Sequence, residues 1–134
     1  MIFFASTPVL FYIFLAYNGV VFLLTGISLQ TTLLTIPMLS GATLSFTVSE
    51  LLLVLGICAL YIELLKSTRT TTASIIDHVF SMLLFIAFLI EFLLVKQAAT
   101  STFFLLMLIQ MLDVIAGFTI SITAARRDMS FGQQ

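Results

Sequence analysis

Few side chains in this sequence could do chemistry, and the most unusual of them is an acid inside an apolar run. Asp113 lies near the middle of residues 102–123, and helical spacing places Gln110 on the same face. Asn18 lies at a similar depth in the first apolar run, 8–27. A carboxyl group in such surroundings is costly unless it is protonated or paired, so it either carries protons or cations or bonds to a neighbouring helix. We predict a buried polar cluster of Asn18, Gln110 and Asp113, and we favour the structural role.

Two further groups of titratable residues lie at the ends of the middle apolar runs. If these runs form antiparallel helices, Glu50 lies level with Glu91 and close to Lys96 at one end. The group at the other end consists of Glu63, Lys66, Arg69, Asp77, His78, Arg126 and Arg127. We predict a carboxylate level from the first group and a solvated ion-pair network from the second.

Two of these acids have an alternative explanation in helix capping. The patterns Thr47-x-x-Glu50 and Ser74-x-x-Asp77 each precede an apolar run. In a capping box, the hydroxyl and the acid satisfy backbone N–H groups that the first helical turn leaves unpaired. We therefore predict that Glu50 and Asp77 cap helices, in preference to a catalytic role.

His78 is the only histidine of the chain. One imidazole cannot by itself complete a bis-histidine haem site or a zinc site with three or four protein ligands. Next to Asp77 it could respond to pH or contact a quinone, but we favour an interfacial histidine paired with Glu63. We predict neither a metal nor any other cofactor.

The composition excludes several classes of protein. Hydrophobic residues make up 61% of the chain, charged residues 8%, and the net charge of −1 leaves no basic surface for a nucleic acid. Nucleophile–base pairs, phosphate-binding glycine loops and paired cysteines are absent from the sequence, and the lone Cys58 is interpreted as a small apolar residue. We expect no enzymatic activity and no nucleic-acid partner.

Four long apolar runs must position these groups. They cover residues 8–27, 47–65, 75–95 and 102–123, close to the roughly 20 helical residues that cross a hydrocarbon core of about 30 Å. The sequence predicts an all-α integral membrane four-helix bundle, a single transmembrane domain over 1–134. The predicted helices cover 8–27, 47–66, 74–96 and 102–125. Residues 28–46 contain Pro37 and Gly41 and are predicted to form an interfacial loop with a short helical or extended turn near 33–38.

Each of the last three predicted helices has one face that should turn inward, because small or polar residues recur there at helical spacing. On the second helix this face holds Ser45, Ser49, Gly56, Ala59 and Glu63. On the third it holds Ser74, Asp77, Ser81, Phe88 and Glu91. On the fourth it holds Thr102, Leu106, Gln110, Asp113, Gly117 and Ala124.

The orientation follows from the cations, because loops rich in Lys and Arg stay in the cytoplasm. After four crossings, one side holds Lys66, Arg69, Arg126 and Arg127, and the other holds Lys96. We predict up-down-up-down topology with both termini cytoplasmic. The predicted ion-pair network is then cytoplasmic, and the predicted carboxylate level lies on the outer side.

Several stretches of the second half carry a family resemblance. They are Glu63-Leu-Leu-Lys66-x-x-Arg69, Ser74-Ile-Ile-Asp77-His78, Ala98-Ala-Thr-Ser101-x-Phe-Phe-Leu-Leu and Asp113-Val-Ile-Ala-Gly-Phe with Ala125-Arg126-Arg127-Asp128. They resemble small four-helix inner-membrane proteins of proteobacteria that have no assigned function. The resemblance implies a bacterial inner membrane, and it implies neither an activity nor functional residues.

Two functions follow from these expectations. The favoured one is a non-catalytic accessory, assembly or scaffold subunit in a lipid bilayer, which contacts other membrane subunits or further copies of itself through its polar and small-residue helix faces. The alternative is a small oligomeric proton- or cation-coupled transporter or channel protomer. In that case Asp113, Glu50 and Glu91 would supply the intramembrane carboxylates.

Overall fold

A computed structural model describes residues 6–69 and 72–132, and it shows four helices and a β-hairpin in that part of the chain. Helix α1 (Val9–Asn18) continues as a π-helical turn (Gly19–Leu23), and the hairpin strands are β1 (Thr32–Pro37) and β2 (Thr43–Thr47). The long helices are α2 (Val48–Ser67), α3 (Thr72–Leu94) and α4 (Ser101–Gly132), with a 3-10 turn at Lys96–Ala98.

Three helices are long and apolar enough to cross a membrane. They are α2, α3 and the segment Ser101–Arg127 of α4, each with a mean hydropathy of 2.2. Helix α1 with its π-helical turn is shorter, because Leu24 is extended and Gly26 has a φ of +89°. The first predicted helix, 8–27, therefore ends at Leu23, whereas the other three reach spanning length.

Helix directions alternate along the chain, as contacts between helix ends show. Helix α4 packs against both α2 and α3, and α1 packs on α2. The hydrogen-bonded pairs that fix the directions are Val9–Glu63, Lys66–Asp77 and His78–Ser121. We call the end that holds Lys66 the lysine end, and the opposite end, where the hairpin joins α2, the hairpin end.

The inward faces of the helices agree with the sequence pattern. On α4, Thr102, Leu106, Gln110 and Asp113 are buried and Ala124 is half-buried. On α2 and α3 the predicted faces are buried in the same way, except that Glu91 is half-buried. Ser45, predicted on the face of the second helix, lies instead in β2 and is exposed. Large apolar side chains cover the outside of all three helices. Such a surface is stable against lipid and not against water.

An aromatic layer, formed by Phe14, Tyr17, Phe88 and Phe103, fills the bundle toward its hairpin end. Tyr17, Phe88 and Phe103 are fully buried. The ring centroids of Phe14 and Phe88 lie 4.8 Å apart, those of Phe88 and Phe103 5.1 Å, and those of Tyr17 and Phe103 4.9 Å. At these distances the rings pack against one another directly, and they join α1, α3 and α4.

Residues 28–46 differ from the predicted interfacial loop, because they contain most of a two-stranded antiparallel hairpin. Gly41 has a φ of +88°, which favours glycine, and the Met38 N–H donates to the Ala42 carbonyl across the turn. At the base, the Val48 N–H donates to Thr31 and ties the hairpin to α2. The fold is therefore mostly helical and not all-α.

Of the two predicted capping boxes, one is present. The Thr47 N–H donates to Glu50 at 2.7 Å at the start of α2, as predicted. Helix α3, however, begins at Thr72, so Ser74 lies inside its first turn and Asp77 lies beyond that turn. The capping role predicted for Asp77 is wrong, and its carboxylate binds Lys66 instead.

Candidate functional site

Lys66 ties three helices together at the lysine end. Its ammonium donates to Asp77 Oδ1 at 3.0 Å, to Glu63 Oε1 at 3.2 Å and to the Thr7 carbonyl at 3.0 Å. The Val9 N–H donates to the same Glu63 oxygen, so this carboxylate also satisfies the positive N-terminus of α1. Glu63 and Asp77 are buried, and only 17% of the Lys66 side chain is exposed. We call Glu63, Lys66 and Asp77 the lysine cluster.

The lysine cluster corrects the predicted solvated ion-pair network. Its three members form a compact buried group, because the short α2–α3 connection places Asp77 opposite the last turn of α2. Arg69, Arg126 and Arg127 are exposed and lie outside it. Four of the seven predicted residues, including His78, therefore do not belong to the ion pairs.

His78 pairs with Ser121 and not with Glu63. Its Nε2 lies 2.6 Å from Ser121 Oγ, and its ring stacks on Phe118 at a centroid distance of 5.5 Å. Because the Ser121 hydroxyl donates to the Ser67 carbonyl at 3.1 Å, the imidazole N–H donates to Ser121. His78 thus connects α3 through α4 to α2, which is a structural role.

Gln110 and Asp113 lie next to each other in the bundle, as their shared helix face predicts. Both are buried. The Gln110 amide donates to the Ser81 carbonyl at 2.8 Å and to Asp113 Oδ2 at 3.4 Å. Gln110 Oε1 is buried and accepts no hydrogen bond from the described residues. The pair links α4 to α3 directly.

Asn18 binds other partners, so the prediction that it forms a cluster with Gln110 and Asp113 is wrong. Its amide donates to the Phe14 carbonyl at 3.0 Å and to Glu91 Oε2 at 3.3 Å. Helix α1 runs parallel to α3, and its last turn lies at the level of Glu91. The aromatic layer lies between this pair and the Gln110–Asp113 pair.

The predicted carboxylate level of Glu50, Glu91 and Lys96 does not form a common site. Glu50 is exposed and binds Thr47, whereas Glu91 is half-buried and binds Asn18. Lys96 is exposed in the 3-10 turn. The three residues share an end of the bundle, but each has its own surroundings.

The hairpin presents one apolar and one hydroxyl face. Side chains alternate along a strand, and partners across the pair point the same way. The register therefore groups Leu34, Ile36, Leu44 and Phe46, which we call the apolar hairpin face. Thr35, Thr43 and Ser45 lie on the opposite face together with Pro37, and we call this the hydroxyl face. Phe46 is half-buried at the base of the hairpin, but Leu34 is 54% exposed, Ile36 40% and Leu44 43%, so the bundle leaves most of the apolar hairpin face uncovered.

Sequence reasoning missed Ser121 and the apolar hairpin face. For the hairpin a signal exists, since Leu34-Thr35-Ile36 and Leu44-Ser45-Phe46 alternate on either side of Gly41. For Ser121 no local signal exists, because its partners lie on two other helices.

Comparisons with family models, with curated proteins and with solved structures give no match. Among residues 6–69 and 72–132, no group of three or more His, Cys, Asp or Glu side chains is arranged to hold a metal ion.

Proposed function

We propose that this chain is a multi-pass protein of the bacterial inner membrane that serves as a non-catalytic accessory or assembly subunit. The observation that carries the proposal is the uncovered apolar hairpin face at one end of a bundle whose polar groups bind one another. Most of the cationic side chains lie at the lysine end or in the segment of α4 that extends beyond it, namely Lys66, Arg69, Arg126 and Arg127. The proposed orientation therefore has that end, and both termini, in the cytoplasm and the hairpin on the outer side.

A protein partner suits the hairpin better than lipid does. Each strand has a single neighbour in the described sheet, so the outer edges of β1 and β2 offer unpaired backbone N–H and C=O groups. Hydrocarbon cannot satisfy such groups, and each one left unpaired there costs several kcal/mol. A strand of a partner protein would satisfy them and cover apolar side chains as well.

The composition around the hairpin also favours a protein contact. Residues 19–49 contain no Trp, Tyr, Lys or Arg, the side chains that usually anchor a segment at a membrane surface. A two-stranded sheet alone is marginally stable in water. Contact with another subunit, or with a second copy of this chain, would stabilise the hairpin and remove its apolar face from water.

Charges on the apolar hairpin face are expected to break this contact. In the double variant Leu34→Lys with Leu44→Glu, the two new charges have opposite signs and do not repel each other, so the strands are expected to remain paired. The control, Thr35→Lys with Ser45→Glu, adds the same two charges to a directly opposed pair on the hydroxyl face. The expected result is loss of the wild-type assembly in the first variant only, measured by native mass and by photo-cross-linking from position 36.

A cross-link from position 36 to one discrete protein, either a different subunit or a second copy, supports the proposal when the control variant retains it. A 14.8 kDa monomer whose only cross-links are to lipid would refute it. Equal loss of assembly in both variants would show that added charge disturbs the strands whichever face carries it. That result would also refute the apolar hairpin face as the contact surface.

The buried acids Glu63, Asp77 and Asp113 favour a second candidate, the oligomeric proton- or cation-coupled transporter. Against it, the aromatic layer lies between these acids and the Asn18–Glu91 pair, so one copy offers no continuous polar path through its described residues. We expect liposomes with wild-type protein and with Asp113→Asn to show the proton flux of empty vesicles. A wild-type flux that Asp113→Asn abolishes would establish the transporter in place of the accessory subunit.

A further inference from the structure

An open groove runs between α3 and α4 at the lysine end, and it has the polarity of a phospholipid. Its volume is about 310 Å³. The groove is lined principally by Arg69, Ile75, His78, Val79, Phe118 and Ile122. The apolar members come in pairs four residues apart, two on α3 and two on α4, so the apolar walls follow the helix axes.

The cation lies at the mouth of this groove. Arg69 follows the last residue of α2 by two positions, just past the end of the segment that can span the membrane. When α2 crosses a bilayer, the guanidinium therefore lies at the level of the lipid headgroups. The apolar walls extend from there toward the hydrocarbon.

Within residues 6–69 and 72–132, no hydrogen bond or ion pair is seen at the Arg69 guanidinium, and the apolar walls are exposed. The two acids nearest in sequence, Glu63 and Asp77, both pair with Lys66, and Arg69 is exposed. Ile75 is 65% exposed and Val79 53%. The groove therefore combines an exposed cation with an uncovered apolar surface, which fits a ligand that carries an anionic head and an apolar tail.

We propose that this groove binds one anionic phospholipid, with its phosphate at Arg69 and an acyl chain along Ile75, Val79 and Phe118. Arginine suits the head because its planar guanidinium can donate two parallel hydrogen bonds to phosphate oxygens. Basic pockets between membrane helices on the cytoplasmic side are an established type of lipid site. The inference is independent of the apolar hairpin face, which lies at the other end of the bundle.

The test compares two lipids with the same acyl chains, phosphatidylglycerol and phosphatidylcholine, by native mass spectrometry of the purified protein. Wild-type protein is expected to retain one phosphatidylglycerol in preference to phosphatidylcholine. Arg69→Gln is expected to reduce this preference about fivefold, which corresponds to about 1 kcal/mol for one cation at the membrane surface. Arg126→Gln removes an equally exposed cation that does not line the groove, and it is expected to preserve the preference.

A second variant tests the apolar walls. Val79→Trp places a large side chain in the groove from an exposed position, and it is expected to reduce retention of both lipids alike. Three outcomes would overturn the proposal. They are an unchanged preference in Arg69→Gln, an equal loss in Arg126→Gln, which would indicate diffuse surface charge, and displacement of the lipid by inorganic phosphate, which would indicate an anion site without a tail.

Discussion

Replacement of Lys66 by methionine is expected to lower the free energy of unfolding by about 3–5 kcal/mol, because it leaves two buried carboxylates without their cation. Glu63 and Asp77 both bind the Lys66 ammonium and are both buried. Methionine keeps most of the apolar length of the lysine side chain, so little packing is lost. Unfolding from mild detergent into sodium dodecyl sulfate, followed by the helical circular dichroism signal, measures the loss.

Two comparisons isolate the ion pairs from other effects of the substitution. Lys96→Met removes an exposed ammonium and is expected to change stability by no more than about 0.5 kcal/mol. The triple variant Lys66→Met, Glu63→Gln, Asp77→Asn leaves no charge in the lysine cluster and is expected to recover at least half of the loss. A Lys66→Met protein that unfolds like the wild type would show that the ammonium does not hold this end of the bundle together.

The long helices and their inward faces are predictable from the sequence because both depend on local pattern. In the last three apolar runs, the length of the run predicts a spanning helix, and the recurrence of residues such as Gly56, Gln110 and Asp113 at helical spacing identifies its buried side. The start of α2 is equally local, since Thr47 and Glu50 satisfy each other within one turn.

Hydrogen-bond partners on different helices are not predictable from local pattern, and Asn18 shows why. Its predicted depth assumed a first helix over 8–27, with Asn18 at the centre. In the structure α1 ends at Asn18 and its π-helical continuation ends at Leu23, and contact of the first turn of α1 with Glu63 sets the position of α1 along α2. The position of one helix along another depends on packing between them. The local sequence around Asn18 therefore does not indicate that its amide reaches Glu91.

The hairpin was missed for a different reason. Pro37, the last residue of β1, and Gly41 in the turn are equally typical of an irregular loop. The alternation in both strands uses Thr and Ser on the polar face, which contrast weakly with Leu and Ile. Pairing of the two strands then depends on residues that are distant along the chain, such as Leu34 and Phe46, and the local pattern of either strand does not identify its partner.

Gly117→Ala is the second substitution with a large expected effect, a loss of about 1–3 kcal/mol through overpacking. A Cβ atom at this position would lie 2.7 Å from His78 Cε1 and 3.2 Å from Ser67 Oγ. The imidazole cannot easily move away, because it is bonded to Ser121 and stacked on Phe118. The added methyl group therefore pushes α3 and α2 away from α4 at the lysine end.

Gly56→Ala is the matched control, since it changes the same residue type at another buried helix contact. The new Cβ would lie 3.0 Å from Leu106 Cδ2, the end of a flexible side chain that can rotate, so the expected change is below about 1 kcal/mol. In the double variant Gly117→Ala with His78→Ala, the collision is removed, so the combined loss should be smaller than the sum by at least about 0.5 kcal/mol. Strict additivity in the same detergent unfolding assay would show that His78 and Gly117 do not compete for space, and would remove the close approach of α3 to α4 as the reason for a glycine at this position.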